Sequence, residues 1–174
     1  MSAANTQHLL CRAAAEVIAE QGAAHLTLSA VADRAGVSKG GLLYHYPNKR
    51  ALLAGMLEHL LAKRAAPQTL ASEGHIGAML EEVIALDIDL AAEDRHAAQA
   101  LLAVSAEDPE LLAPARAYLA SLVTTIDRHA QNPSQALTIL LATEGLQLLE
   151  TLGLLALTKV QRQRLIRHLR AAAA

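Results

Sequence analysis

Between Thr27 and Lys49 the chain reads TLSAVADRAGVSKGGLLYHYPNK, the stretch that most tightly limits what the rest can fold into. Leu28, Val31, Ala32 and Ala35 recur at helical spacing and lead to Gly36, which tolerates the left-handed backbone that ends a helix sharply. Ser38 then offers an N-cap for a second short helix. That helix must stop before Pro47, because the residue preceding a proline avoids the α region. Two short helices, each with one apolar face and a tight turn between them, form a helix-turn-helix, in which the second helix lies in a DNA major groove and the first crosses the backbone. Val37 would plug the angle between them. Gly40 and Gly41 strip the second helix of bulk and let its backbone approach a groove floor. Each costs about 1 kcal/mol of helix propensity relative to Ala, which a purely structural helix has little reason to carry.

Around this motif the chain is helical throughout. Ala and Leu fill 71 of 174 positions, and the aromatics are three Tyr with no Phe or Trp. Strong helix formers with so few β-branched and aromatic residues indicate an all-α protein. Gly and Pro divide it into about nine helices. The first spans about Thr6 to Gln21, with Leu9, Leu10, Ala13, Ala14, Val17 and Ile18 on one face and Gly22 as its C-cap. Asn48 caps a fourth, which runs to Ala62 through Leu52, Leu53, Met56, Leu57 and Leu60. A connection at Gln68 to Gly77, after Lys63-Arg64 and Pro67, separates two parts, 1–64 and 65–174. Beyond it, helices are expected at about 75–91, 93–105, 109–130, 135–156 and 159–171, the last opened by a capping box at Thr158 and Gln161.

Several function classes drop out. The single Cys11 excludes an internal disulfide and a thiolate zinc cluster, and is expected to be a small buried hydrophobe. The most apolar run, Leu137 to Leu157, is interrupted by Glu144, Gln147 and Glu150, so no membrane span is expected. The N-terminus lacks a signal-peptide pattern, so a soluble, cytoplasmic protein is expected. Glu93-x-x-His96 has a spacing used by carboxylate-bridged metal sites, but those need the motif twice plus two further Glu. Neither a catalytic triad nor a phosphate loop after a strand is present. No catalytic residue, metal site or cofactor is therefore expected. Net charge is −2, yet residues 1–64 carry seven Lys and Arg against four acids, and the remainder eight against thirteen. The first part is suited to an anionic partner and the second is not.

The pattern A-x-x-A-G-V-S-K-G-x-L at Ala32 to Leu42, followed by Y-H-Y-P-N-K at 44–49 and Arg50-Ala51-Leu52-Leu53, resembles the N-terminal DNA-binding domain of TetR-type transcriptional regulators over residues 6–60. The resemblance implies an all-helical homodimer. Three N-terminal helices would read double-stranded operator DNA, a fourth would link them to a helical regulatory part that binds a small-molecule effector, and the last two long helices would dimerise. Leu43 stands where the family usually has a phosphate-contacting Tyr, with Tyr44 one place later. Gly41 stands where Thr or Ser is common. Tyr46 replaces the usual Phe and is expected to pack its ring beneath the helices with its hydroxyl outward.

On this basis the expected DNA-binding residues are Thr27, Ser38, Lys39, Gly40, Gly41, Tyr44, His45 and Lys49. Thr27 and Ser38 would also serve as N-caps. Lys39 would reach a base edge or a phosphate, and Lys49 would meet a phosphate where helix amides converge. Glu144 and Gln147 are the candidates for effector contact, set against a plain wet edge of the bundle. Leu141, Gly145, Leu148, Leu149, Leu152, Leu165 and Leu169 would form the dimer interface. The expected function is a ligand-responsive repressor on a pseudo-palindromic operator, its two recognition helices roughly 34–36 Å apart. The alternatives are a helical ligand-binding or protein-interaction module without specific DNA binding, and a small helical enzyme using Glu and His.

Overall fold

The computed structural model describes residues 3–22, 25–88, 92–106 and 108–173, without the side chains of 3, 4, 87, 88, 92 and 93. Among these residues there are ten α-helices and no strand. They are α1 (Ala3–Gln21), α2 (Leu28–Ala35), α3 (Lys39–His45), α4 (Lys49–Ala62), α5 (Ala65–Ser72), α6 (Ile76–Ile88), α7 (Ala92–Ser105), α8 (Ala113–His129), α9 (Pro133–Thr151) and α10 (Lys159–Ala173). A 3-10 turn, Pro109–Leu112, precedes α8. Two compact units result: Met1–Ala62 with Ala91–Ala115, and Lys63–Leu90 with Arg116–Ala174.

In the first unit α1 packs against α2, α4 and α7. Leu10, Ala13, Ala14, Val17, Val31, Leu42, Leu52 and Met56 form its core, and Val37 packs against that core as its place in the turn requires. The chain leaves this unit after Ala62, two residues before the expected division, and returns to it at 91–115, a segment expected in the other part. The cause is a narrow stripe on α7. Ala97, Ala100 and Leu101 are buried in the same core as α1 and α4.

Tyr46 departs from expectation. It is 7% exposed, and its hydroxyl turns inward to lie 3.4 Å from Sγ of the buried Cys11. Burial and the bond between the two groups raise the Tyr46 phenol well above its ordinary value, and burial raises the Cys11 thiol. The ring fits because α4 carries Gly55 beside it: a Cβ there would stand 2.5 Å from the Tyr46 ring carbon Cε1 and 2.7 Å from its hydroxyl.

The second unit packs α6 against α5, α9 and α10. Met79, Leu80, Val83, Ile84, Leu122, Ile126, Ile139 and Leu140 are buried. Two elements differ from expectation. The connection after Arg64 is helical as α5, since Pro67 sits in its first turn, where the missing N–H has no partner to lose. Helix α9 ends at Thr151 rather than near 156, because Gly153 takes a φ of 69° and the amides of Gly153 and Leu154 return to the Glu150 and Leu149 carbonyls. The Thr158–Gln161 capping box forms reciprocally, at 3.0 and 3.3 Å.

The Gly55 notch yields a stability prediction. Gly55→Ala should lower the unfolding free energy by about 1–3 kcal/mol through overpacking, despite the better helix propensity of Ala. A urea midpoint equal to that of the parent would show that the Tyr46 ring gives way freely.

Candidate nucleic-acid interface

Helix α2 is fixed at both ends. Thr27 is its N-cap, with Oγ1 accepting from the Ala30 amide at 3.1 Å. Gly36 closes it at φ 67°, and the Val37 amide donates to the Ala32 carbonyl at 3.0 Å. Near its end Arg34 grips α1: Nη1 donates to Glu20 Oε1 at 2.8 Å, Nη2 to the other Glu20 oxygen, and Glu16 lies at 3.4 Å. The Arg34 bonds pull the Glu20 carboxyl below its ordinary value, and the two acids raise the guanidinium in turn. The caps thereby fix the ends of the motif's first helix, and a two-pronged charge pair as well as apolar burial holds it on α1.

Helix α3 is set by Ser38, whose Oγ accepts from the Gly41 amide at 3.1 Å, and by Leu42, which is fully buried. With Leu42 inward, Lys39, Gly40, Gly41, Leu43 and Tyr44 are exposed. Tyr44 is 85% exposed and meets the half-buried His45 ring edge-on, with centroids 5.2 Å apart. A Cβ on Gly40 would meet nothing within 4 Å, and one on Gly41 only the Ser38 hydroxyl at 3.2 Å. No packing within the chain demands a glycine at position 40. Helix α4 follows at once, with Asn48 Oδ1 accepting from the Ala51 amide at 2.8 Å and Lys49 half-buried at its first position. Thr27 and Ser38 thus have established capping work. Lys39, Gly40, Gly41 and Tyr44 are surface groups of α3, followed directly by His45 and Lys49.

One pairing here lay beyond sequence reasoning. Arg50 Nε donates to Asp108 Oδ2 at 2.7 Å, across 58 residues of chain. Nothing local in the sequence pairs them.

In the second unit Glu144 and Gln147 do converge, on Arg64. Its Nη1 donates to Glu144 Oε1 at 2.6 Å and its Nη2 to Gln147 Oε1 at 2.9 Å, while the guanidinium carbon lies 6.0 Å from the Tyr118 ring centroid. One turn on, Glu150 accepts from Arg162 Nε at 3.2 Å. Glu144, Gln147 and Glu150 are thus each bonded to an arginine. Gln147, Glu150 and Arg162 share with Thr143, Ile84 and Leu169 the lining of a cavity of about 10 Å³, room for at most one water. Of the metal spacing, the Glu93 side chain lies outside the described residues and His96 is exposed. Among the described residues no three His, Cys, Asp or Glu stand close enough to hold an ion, and no helix is long and apolar enough to cross a membrane.

The leucines of α9 and its C-cap Leu152 separate by face. Leu141, Leu148, Leu149 and Leu152 are exposed, Leu141 by 66%, and a Cβ on Gly145 would meet open space. Positions 141, 145, 148 and 152 form one stripe at helical spacing. On α10 Leu165 is half-buried, but Leu169 is 6% exposed. Leu169 is packed within its own unit, so it supports α10 from behind and is not part of an outward face.

Residues 74–174 match the family described as tetracyclin repressor-like, C-terminal domain, and residues 10–56 match bacterial regulatory proteins of the tetR family. No curated protein sequence matches the chain. Among solved structures, a regulator assigned to the TetR family from Mesorhizobium loti is 15% identical with a TM-score of 0.68, covering 99% of this chain and 95% of that one. Another from Rhodococcus sp. is 22% identical with a TM-score of 0.66, covering 97% of each chain. The flavonoid-responsive regulator FrrA is 26% identical with a TM-score of 0.57, covering 98% of this chain and 94% of its own. With a family match over more than half its length and a capped helix-turn-helix in the matched N-terminal segment, the chain belongs to the TetR family and is a DNA-binding transcriptional regulator.

Proposed function

We propose that the protein is a ligand-responsive repressor that binds a pseudo-palindromic operator as a homodimer in the cytoplasm. Residues 1–64 carry the reader and 65–174 the regulatory part, with 91–115 packed into the reader's compact unit. The observation that carries this reading is the outward surface of α3, where a glycine that packing does not require lies between Lys39 and the exposed Tyr44. In the proposed complex the α3 backbone approaches base edges at Gly40 and Gly41. Lys39 contacts a base edge or phosphate, and Tyr44, His45 and Lys49 bind phosphates, with Thr27 and Ser38 bonding them secondarily. No reaction, metal or cofactor enters the reading.

The homodimer rests on the stripe of Leu141, Gly145 and Leu148 on α9 and its C-cap Leu152, with Leu149 beside it and Leu165 at its edge. An exposed row of leucines on a well-formed helix favours burial against a second copy. The small-molecule effector is assigned to Glu144 and Gln147, together with the Arg64 that bonds both. For it to act, its affinity must differ between the DNA-bound and released states. With only about 10 Å³ open beside Gln147, the ligand-bound state would have to part these side chains.

Two measurements test this. Lys49→Ala should weaken binding to every duplex and flatten the plot of log affinity against log salt by about 0.9 for each phosphate left without its lysine. Lys39→Ala should in addition loosen the sequence preference selected from a random DNA pool. A Lys49→Ala protein with the parent's salt slope would remove Lys49 from the interface, and an absence of any selected sequence for the parent would favour a module without specific DNA binding. Separately, Leu148→Glu should convert a dimer to a monomer in sedimentation velocity, because it sets like charges across a two-fold stripe. Persistence of the dimer would move the interface elsewhere.

A further inference from the structure

Arg50 is the second residue of α4, directly after Lys49, so it stands beside the point proposed to meet a phosphate. Its side chain is 64% exposed, and its Nε is bonded to Asp108. Asp108 immediately precedes the 3-10 turn Pro109–Leu112, which packs against α4 within the same compact unit. Glu110, in that turn, adds a further negative charge acting on the guanidinium. The chain thus sets two carboxylates against a basic corner of the reader.

Fold stability gives little reason for this. An ion pair exposed to this degree adds little to stability, since water screens it and both side chains lose freedom. A carboxylate at 2.7 Å from Nε, however, offers the same kind of charged acceptor as a DNA phosphate. While Asp108 holds Arg50, the pair is neutral and releases few counterions on meeting a duplex.

We propose that Arg50 is a further phosphate-binding residue of the reader and that Asp108 is its competitor within the chain, lowering DNA affinity until a phosphate displaces it. The proposal rests on the DNA-binding reading above and adds to it a residue, a competitor and a sign. Removing an acid should tighten binding and steepen its salt dependence, where removing a structural prop would weaken it. The 3-10 turn leads straight into α8, so the competitor is carried on the segment from which the chain passes into the regulatory unit.

The test uses the full chain, a fluorescein-labelled duplex of mixed sequence, and anisotropy titrations over a range of salt. Asp108→Asn should bind about fivefold tighter per protomer at low salt, the upper end of what an exposed pair can withhold. Its slope of log affinity against log salt should steepen by up to about 0.9 for each Arg50 that Asp108 still holds in the parent complex. Asp108→Ser should behave alike, and Arg50→Ala with Asp108→Asn should lose both gains. A slope and affinity for Asp108→Asn equal to or below the parent's, with an unchanged melting curve, overturns the proposal and makes Asp108 a positioning residue for Arg50. Failure of the parent itself to bind any duplex at low salt overturns the DNA-binding reading, and this proposal with it.

Discussion

The reader depends on how closely helices can approach α1. Ala13, Ala14 and Ala15 are buried in succession, with Leu10 and Val17 a turn to either side. Three consecutive buried positions span more than half of a helix's circumference, so α1 packs on α2, α4 and α7 over a broad face and leaves a narrower stripe through Arg12 and Glu20 to solvent. Alanine makes this possible by keeping the interhelical distances short. The longer apolar side chains come from the surrounding helices, as Val31, Leu42, Leu52 and Met56 do. The outward aim of α3 follows, because Leu42 is drawn inward and the opposite side of so short a helix must face away.

Much of the motif was legible because its determinants are local. Gly36, Ser38, Thr27 and Pro47 each act over three or four residues, and the caps and turn form where the sequence puts them. What could not be read are pairings across long stretches of chain. The alanine stripe of α7 fits several partners equally well, so nothing local assigns it to α1. Tyr46 shows the same limit: its burial was foreseeable from its place after α3, but the inward turn of its hydroxyl depends on Cys11, 35 residues earlier, and on the space at Gly55. The glycine itself was a signal, being an otherwise unexplained break in propensity in the middle of α4. Likewise Leu169 has the spacing of an interface residue, and only its packing inside the unit removes it from one.

The second unit places charge in an aliphatic setting. Arg64 with Glu144, and Arg162 with Glu150, are ion pairs whose side chains are 15–26% exposed. At that depth each charge depends on its partner, and a lone survivor would be poorly solvated. Gln147 extends the first pair by bonding Arg64, and Thr143 returns its hydroxyl to the Ile139 carbonyl. The interior polarity of α9 is thus satisfied by short, specific bonds, which gives this helix a defined rotation about its axis and so a defined set of outward leucines.

The enclosed Cys11 sets the protein's redox character. The chain has one thiol, buried behind Tyr46 and shifted away from the thiolate form. Oxidants and alkylating agents act on exposed thiolates, so this buried thiol is a poor target for them in the folded reader. Loss of the packing between α1 and α4 would expose this thiol further, so its rate of alkylation serves as an internal gauge of the reader's integrity.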